Sequence, residues 1–174
     1  MFAMNRTESA LLRKNILFLI IIPGTVTGYV PFGLLPGSFL PSGWHTIIGV
    51  LVVFPGVLIV VSCVRRFWKE GRGTPAPIAP PSNLVVGGLY RYIRNPMYAG
   101  VLLILAGESI CFRSAVHAVY TTGAAIFFTL FIVLYEEPKL KKLFGPAYTE
   151  YIGRVPRWIP KVGRLLNHGD RMKI

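Results

Sequence analysis

The chain reads as an all-α integral membrane protein: about four transmembrane helices followed by a C-terminal amphipathic helix. Three observations predict this class. Hydrophobic residues make up 53% of 174 positions, and they gather into runs longer than a soluble domain carries. The runs fall at 15–35, 44–64, 96–112 and 115–135, about half of the chain, so one membrane domain over 1–174 is the economical organisation. The cations are one-sided: under this four-span reading, all of the 19 Lys and Arg residues except Arg113 fall on one side.

The first run follows Arg13 and Lys14, continues well past Ile22 and lacks a small-residue cleavage site, so it reads as a retained span rather than a cleavable signal peptide. Pro23-Gly24 interrupts it and Pro55-Gly56 interrupts the second run, which predicts kinks repacked by neighbouring helices. Between these runs, Pro36, Gly37, Ser38, Pro41, Ser42 and Gly43 predict an uncharged turn-rich loop. The second run leads into a charged helix end, Arg65–Gly73, with Trp68 as an interfacial anchor. Thr74–Pro81 (TPAPIAPP) is proline-dense and predicts an extended, polyproline-like stretch, before a brief apolar run and the Gly87-Gly88 turn.

The third run is the shortest. Glu108 lies near its outer end; an intramembrane acid is a functional hypothesis by default, but snorkelling or pairing with Arg113 would give it a structural role. The third and fourth runs meet at Arg113-Ser114 with almost no loop, which predicts a tight antiparallel hairpin. That hairpin brings Arg94–Tyr98 beside Tyr135–Glu137. After Pro138, the apolar positions Leu140, Leu143, Phe144, Ala147, Tyr148 and Tyr151 recur at three and four residues. This predicts an amphipathic helix on the membrane or folded over the helix ends, with Gly145-Pro146 as its weak point.

The charge distribution is a positive-inside signal that puts both termini in the cytosol, and the expected setting is a bacterial or archaeal cytoplasmic membrane. The net charge of +12 then serves topology and attraction to anionic headgroups, rather than nucleic-acid binding. Cys63 and Cys111 fall at opposite membrane faces, too far apart for a disulfide. His45, His117 and His168 are scattered and show no metal-ligand spacing.

The candidate site is the meeting of GGLYRYIRNPMYAG, from Gly87 to Gly100, with YEEPKLKKLFGPAYTEYIGRVPRWIP, from Tyr135 to Pro160. Glu136 and Glu137 sit at a helix C-terminus, where the dipole disfavours negative charge, so Arg91, Arg94 or a bound cation is expected to balance them. Arg94-Asn95-Pro96 predicts a helix start capped by Asn95, with Pro96 at the first position. The exposed amides there can also receive a carboxylate or hydroxyl. Gly100, one turn on, allows close approach of a helix or a ligand. Tyr90, Tyr92, Tyr98, Tyr135, Tyr148 and Tyr151 suit either an interfacial belt or a cation–π surround for a sulfonium or ammonium. Arg154 is either a phosphate-facing surface cation or a fork presented to a carboxylate.

Taken in order, the pattern GxYRYxRNPxYxG, a hydrophobic hairpin and EExxLxxxFGxxYxxYxxRVPRWIP resembles the isoprenylcysteine carboxyl methyltransferase family, and is similar to membrane phospholipid N-methyltransferases. The resemblance covers 84–160. It implies a membrane methyltransferase that binds S-adenosylmethionine, releases S-adenosylhomocysteine, and acts on a lipophilic acceptor reached from the bilayer at the cytosolic face. Carried onto this sequence, it implies cofactor binding by Tyr90, Arg94, Asn95, Pro96, Tyr98, Gly100, Glu136 and Glu137, with Tyr148 and Arg154 on the acceptor side. The family usually has His where Asn95 stands; Asn keeps hydrogen bonding but not titration near neutrality, which favours positioning over proton transfer. A carboxylate acceptor is already ionised, whereas an amine must lose a proton, for which Glu136 or Glu137 is the nearest base. The competing expectations are an NADPH-dependent reductase of sterol-reductase type and a non-catalytic membrane protein binding anionic lipid. The acceptor's identity and the oligomeric state stay open.

Overall fold

The structure is a computed structural model, and it describes residues 6–35, 43–71 and 82–160, with side chains from residue 13 onward. The expected loop at 36–42, the polyproline-like stretch and the tail with His168 lie outside the described residues.

The chain order is α1 (Arg6–Gly24), a wide π-helical turn (Thr25–Tyr29), α2 (Val30–Gly33), α3 (Trp44–Arg66) with a π-helical extension (Phe67–Gly71), a 3-10 turn (Gly88–Arg91), α4 (Pro96–Phe112), α5 (Ala115–Phe131), a third π-helical turn (Ile132–Glu136) and α6 (Glu137–Arg154). No strand occurs among the described residues. Helical stretches at Arg13–Gly33, Trp44–Gly71 and Ala115–Arg154 are long and apolar enough to cross a membrane, and Pro96–Phe112 is a shorter apolar helix beside them. The last stretch continues beyond its apolar part as the polar helix α6. The fold is therefore an all-α integral membrane protein. Its outer surface is apolar: Ile20, Leu51, Phe54, Val119 and Phe127 are all exposed, as lipid-facing side chains are.

The two expected kinks differ. Pro23 cannot donate a backbone hydrogen bond, and the helix opens into a π-helical turn just after it, where the Thr27 hydroxyl donates to the Pro23 carbonyl at 2.8 Å. Pro55, by contrast, sits inside α3 without interrupting it.

The spine of the molecule is the α3–α4 pair, and glycines set its spacing. A Cβ built on Gly56 would lie 2.8 Å from the Gly100 carbonyl oxygen, and one on Gly100 would lie 2.9 Å from that of Gly56. Two turns away the relationship repeats: a Cβ on Gly49 would lie 2.6 Å from the Gly107 oxygen, and one on Gly107 2.7 Å from the Gly49 oxygen. In lipid there is no hydrophobic drive between helices, so close backbone approach through small residues supplies the association. Gly100 thus packs α4 onto α3, the close approach of a helix that the sequence allowed.

The α4–α5 hairpin is as tight as expected. Arg113 ends α4 in the left-handed conformation (φ 48°), and the Ser114 hydroxyl caps α5 by accepting from the His117 amide at 3.4 Å. Glu108 neither snorkels nor pairs with Arg113. It is 7% exposed, it has no ion pair among the described residues, and its Oε2 accepts no hydrogen bond. Cys63 and Cys111 are both buried free thiols.

Candidate functional site

The hairpin puts the start of α4 beside the end of α5, and the contacts between them are specific. The Tyr98 hydroxyl donates to Glu136 Oε2 at 2.7 Å. Arg94 Nη1 donates to Glu137 Oε1 at 2.9 Å. Arg157 closes the cluster from the chain's last described segment: its Nε donates to Glu137 Oε1 at 3.0 Å and its Nη2 to Oε2 at 3.1 Å. Neighbouring carboxylates therefore differ in their surroundings. Glu137 is neutralised by two guanidinium groups, whereas Glu136 has one phenol and, among the described residues, no cation.

The segment after α6 is clamped onto the start of α4. The Arg94 amide donates to the Pro156 carbonyl at 2.9 Å, and Asn95 Nδ2 donates to the Arg157 carbonyl at 3.4 Å. Asn95 occupies the cap position of α4, but its side chain makes no capping hydrogen bond, because it is turned toward this segment. That corrects the expected side-chain cap. Pro96 fills the first helical position, where its missing N–H costs nothing. From α6, the Tyr151 hydroxyl donates to the Tyr90 carbonyl at 2.8 Å, across the top of the site.

Arg157, not Arg154, is the arginine of the motif that reaches the site. Arg154 pairs with Glu150 one turn back on α6, with both side chains about half exposed or more. The acceptor-side role expected of Arg154 has no support in this placement. The hydrogen bond to Glu137 raises the Arg157 pKa above its already high ordinary value, so the charge is fixed. Burial, and then the neighbouring Cys63, push the Tyr90 phenol well above its usual range, leaving it a neutral hydrogen-bonding wall.

Two cavities meet here. A small one of about 90 Å³ lies under α6 and is lined by Tyr90, Arg94, Tyr98, Glu136, Glu137 and Tyr148, together with apolar side chains of α6. A larger one of about 230 Å³ opens between α1, α4 and α5 and is walled by Phe18, Ile22, Val26, Val101, Phe127 and Phe128. Both are lined by Phe67, Tyr90, Arg94, Asn95, Tyr98 and Glu136, so these six form a shared partition. Five of the eight residues expected to bind cofactor stand in that partition. Glu137 and Tyr148 line the small cavity alone, while Pro96, Gly100 and Arg154 line neither.

The pattern of fold and residues has counterparts among known proteins. A family model described as phospholipid methyltransferase matches residues 44–147, from the start of α3 into α6. The chain belongs to that family. It is also similar to Protein-S-isoprenylcysteine O-methyltransferase B of Arabidopsis thaliana, 34% identical over 80 residues, which is 46% of this chain and 41% of that protein. A second relative is Methanethiol S-methyltransferase of Crocosphaera subtropica, 29% identical over 101 residues, 58% of this chain and 36% of that one. A third is Protein-S-isoprenylcysteine O-methyltransferase A of Arabidopsis thaliana, 27% identical over 130 residues, 68% and 61%. The chain spans less than two thirds of each relative's length. In this phospholipid methyltransferase family member, α1 and Arg157 both lie outside the residues that the family model matches.

Methyltransferases typically use S-adenosylmethionine, whose sulfonium and ammonium are cationic and whose carboxylate is anionic. The donor set fits it. Glu136, with one oxygen uncommitted among the described residues, suits a cation, and Arg94 Nε is buried without a hydrogen-bond partner and suits an anion. The space under α6, about 90 Å³, is smaller than the roughly 300 Å³ at which sites for drug-sized ligands begin.

Proposed function

We propose that the protein transfers a methyl group from S-adenosylmethionine to a lipophilic acceptor at the membrane face where α3 and α5 end. The observation that carries this reading is the shared partition: one largely polar wall lies between a small charged cavity under α6 and a larger, mostly apolar chamber between α1, α4 and α5. A cofactor bound on one side and an acceptor seated on the other would meet at Tyr90, Tyr98 and Glu136. Since Arg13, Lys14, Arg65, Arg66, Lys69 and Arg91 lie toward that face, the positive-inside rule puts it in the cytosol.

The cofactor supplies an electrophilic methyl on a sulfonium, and the remaining work is alignment by the protein. Glu136, steadied by the Tyr98 hydroxyl, holds the cofactor's positive charge; Arg94 Nε receives its carboxylate; Tyr90 and Tyr148 close the sides. In-line displacement depends on distance and angle, so a rigid partition contributes by fixing both. Asn95 cannot exchange protons near neutrality and positions the Arg157 segment instead. The apolar walls of the chamber set the acceptor class as an amphiphile whose reactive end reaches the partition while its tail lies between α1 and α5.

Calorimetric titration of purified protein with S-adenosylmethionine and S-adenosylhomocysteine tests the cofactor side. The two ligands differ by the sulfonium charge, so wild type is expected to bind both and Glu136→Gln to lose affinity mainly for the charged one. Equal losses for both, or none, would remove Glu136 from this role. Incubating membrane lipid extracts with isotopically labelled cofactor, and reading product masses, then tests the acceptor side.

A further inference from the structure

A third cavity lies outside the partition, and its chemistry is different. It is a groove of about 670 Å³ between the C-terminal end of α3 and the Gly88–Arg91 turn, lined by Ser62, Cys63, Arg65, Arg66, Lys69 and by residues 88–92. Four cations therefore face one space: Arg65, Arg66, Lys69 and Arg91. Among the described residues only Arg66 is compensated, by an ion pair with Glu70. Arg65, Lys69 and Arg91 have no ion pair or hydrogen bond among the described residues.

We infer that this groove binds the phosphate of an anionic phospholipid, at a site separate from the acceptor chamber. Uncompensated like charges in one groove repel, and a phosphate offering several acceptor oxygens relieves that repulsion with charge-assisted hydrogen bonds. The dipole at the C-terminal end of α3 accounts for some of the basic residues there, but Arg91 belongs to another element and points to a common ligand.

The surface below the groove says which phosphate. Leu51, Phe54, Leu58, Ser62, Arg65 and Lys69 recur at helical spacing along α3 and its π-helical extension, and all are exposed. The stripe is apolar over the part of the helix inside the membrane and becomes polar, then cationic, as the helix leaves it. A glycerophospholipid matches that gradient, with acyl chains along Leu51, Phe54 and Leu58 and the phosphate between Arg65, Lys69 and Arg91. A free phosphate would use only the upper end. The opposite face of α3, with Gly49, Gly56 and Val60, is buried against α4, so the lipid stripe and the helix spine do not compete.

The groove touches the site through one side chain. Tyr90 lines the groove and both cavities of the partition, and its phenol packs edge-on to Phe67 with ring centroids 5.7 Å apart.

Native mass spectrometry of the protein with dioleoylphosphatidylglycerol, and with dioleoylphosphatidylcholine as the zwitterionic control, tests the inference. Wild type is expected to retain phosphatidylglycerol preferentially, and the triple variant Arg65→Gln, Lys69→Gln, Arg91→Gln to bind it at least tenfold more weakly. Raising salt should erode the wild-type preference. Retention of phosphatidylglycerol by the variant at the wild-type level would overturn the site. Displacement of the lipid by millimolar inorganic phosphate would overturn the lipid and leave a soluble phosphate as the ligand. The three side chains have no partners among the described residues to lose, so the variant should keep the wild-type melting temperature and S-adenosylhomocysteine titration, which separates this result from that of the cofactor reading.

Discussion

Arg157 grips Glu137 with two hydrogen bonds, one to each carboxylate oxygen, although the two residues come from opposite ends of the α6 region. Arg94 adds a third at 2.9 Å, so the start of α4, the start of α6 and the segment after α6 are tied at one carboxylate. Glu137 and Arg94 side chains are 12% and 13% exposed, and Arg157 is 34% exposed, which moderates the worth of its pair. Replacing either Glu137 by Gln or Arg157 by Ala is expected to cost about 1–3 kcal/mol of stability. Because both remove one cluster, the double variant should melt close to the worse single variant rather than at the sum. Thermal denaturation in detergent, followed by intrinsic tryptophan fluorescence, checks this; additive losses would mean that the two residues act separately.

Tyr98 has a different task, holding Glu136 through a single hydroxyl. Tyr98→Phe keeps the ring contact with Phe128, whose centroid is 5.0 Å away, and removes only the hydrogen bond. A hydrogen bond to a charged group is worth about 1.5–3 kcal/mol, so the affinity for S-adenosylmethionine should fall by roughly 10–150-fold while the melting temperature moves little. Titration calorimetry on wild type and variant reads both effects. A melting temperature that drops with unchanged affinity would make Tyr98 a packing residue.

The sequence carried the helices and the hairpin because apolar run length, the short Arg113-Ser114 link and one-sided charge each have a direct physical meaning in a bilayer. From those alone followed the meeting of Arg94 and Tyr98 with Glu136 and Glu137. It could not tell Arg154 from Arg157: the two arginines flank the Val155-Pro156 pair, and only the path of the extended segment after Val155, which is 1% exposed, decides which one turns inward. Nor did it separate the two uses of Gly100, since a close approach by a helix and by a ligand leave the same mark in one chain. The division of labour between Glu136 and Glu137 was hidden for the same reason. Adjacent acids have equal intrinsic chemistry, and a cation from elsewhere in the fold makes them unequal. Gly145 is the opposite case. Its pairing with Pro146 marked a break, and the residue stands at φ 53°, ψ −126°, where a side chain is strained.

The paired glycines of α3 and α4 make a sharp test of the spine. A Cβ at Gly56 or Gly100 would stand within 3.0 Å of backbone on the facing helix, and backbone cannot step aside as a flexible side chain can. Gly56→Ala and Gly100→Ala are each expected to destabilise the protein by about 1–3 kcal/mol, the usual cost of overpacking a close contact. Gly123 in α5 is the control, because nothing lies within 4 Å of its added Cβ. Gly123→Ala should be neutral or stabilising by up to about 1 kcal/mol, through helix propensity alone. Melting temperatures of the three variants, measured side by side in one detergent, decide it; a Gly100→Ala protein as stable as Gly123→Ala would mean that α3 and α4 are not held at this distance.

The acceptor chamber is open to a steric test that leaves the charged residues untouched. Val26 belongs to the π-helical turn after α1, reaches the chamber wall, and packs with the Tyr98 and Phe128 cluster, while its carbonyl accepts the Tyr120 hydroxyl at 3.1 Å. Val26→Phe adds an aromatic ring to a space of about 230 Å³ without altering that backbone hydrogen bond. If the acceptor's tail lies in the chamber, KM for a long-chain acceptor should rise several-fold, while short-chain acceptors and S-adenosylhomocysteine binding keep wild-type values. The distinction matters because a ring that merely disturbed the fold would weaken all three together. Initial-rate kinetics across an acceptor chain-length series, paired with the cofactor titration, separates the two. An unchanged KM for every chain length, in a protein that still melts like wild type, would move the acceptor out of this chamber and leave the space between α1 and α5 to ordinary bilayer lipid.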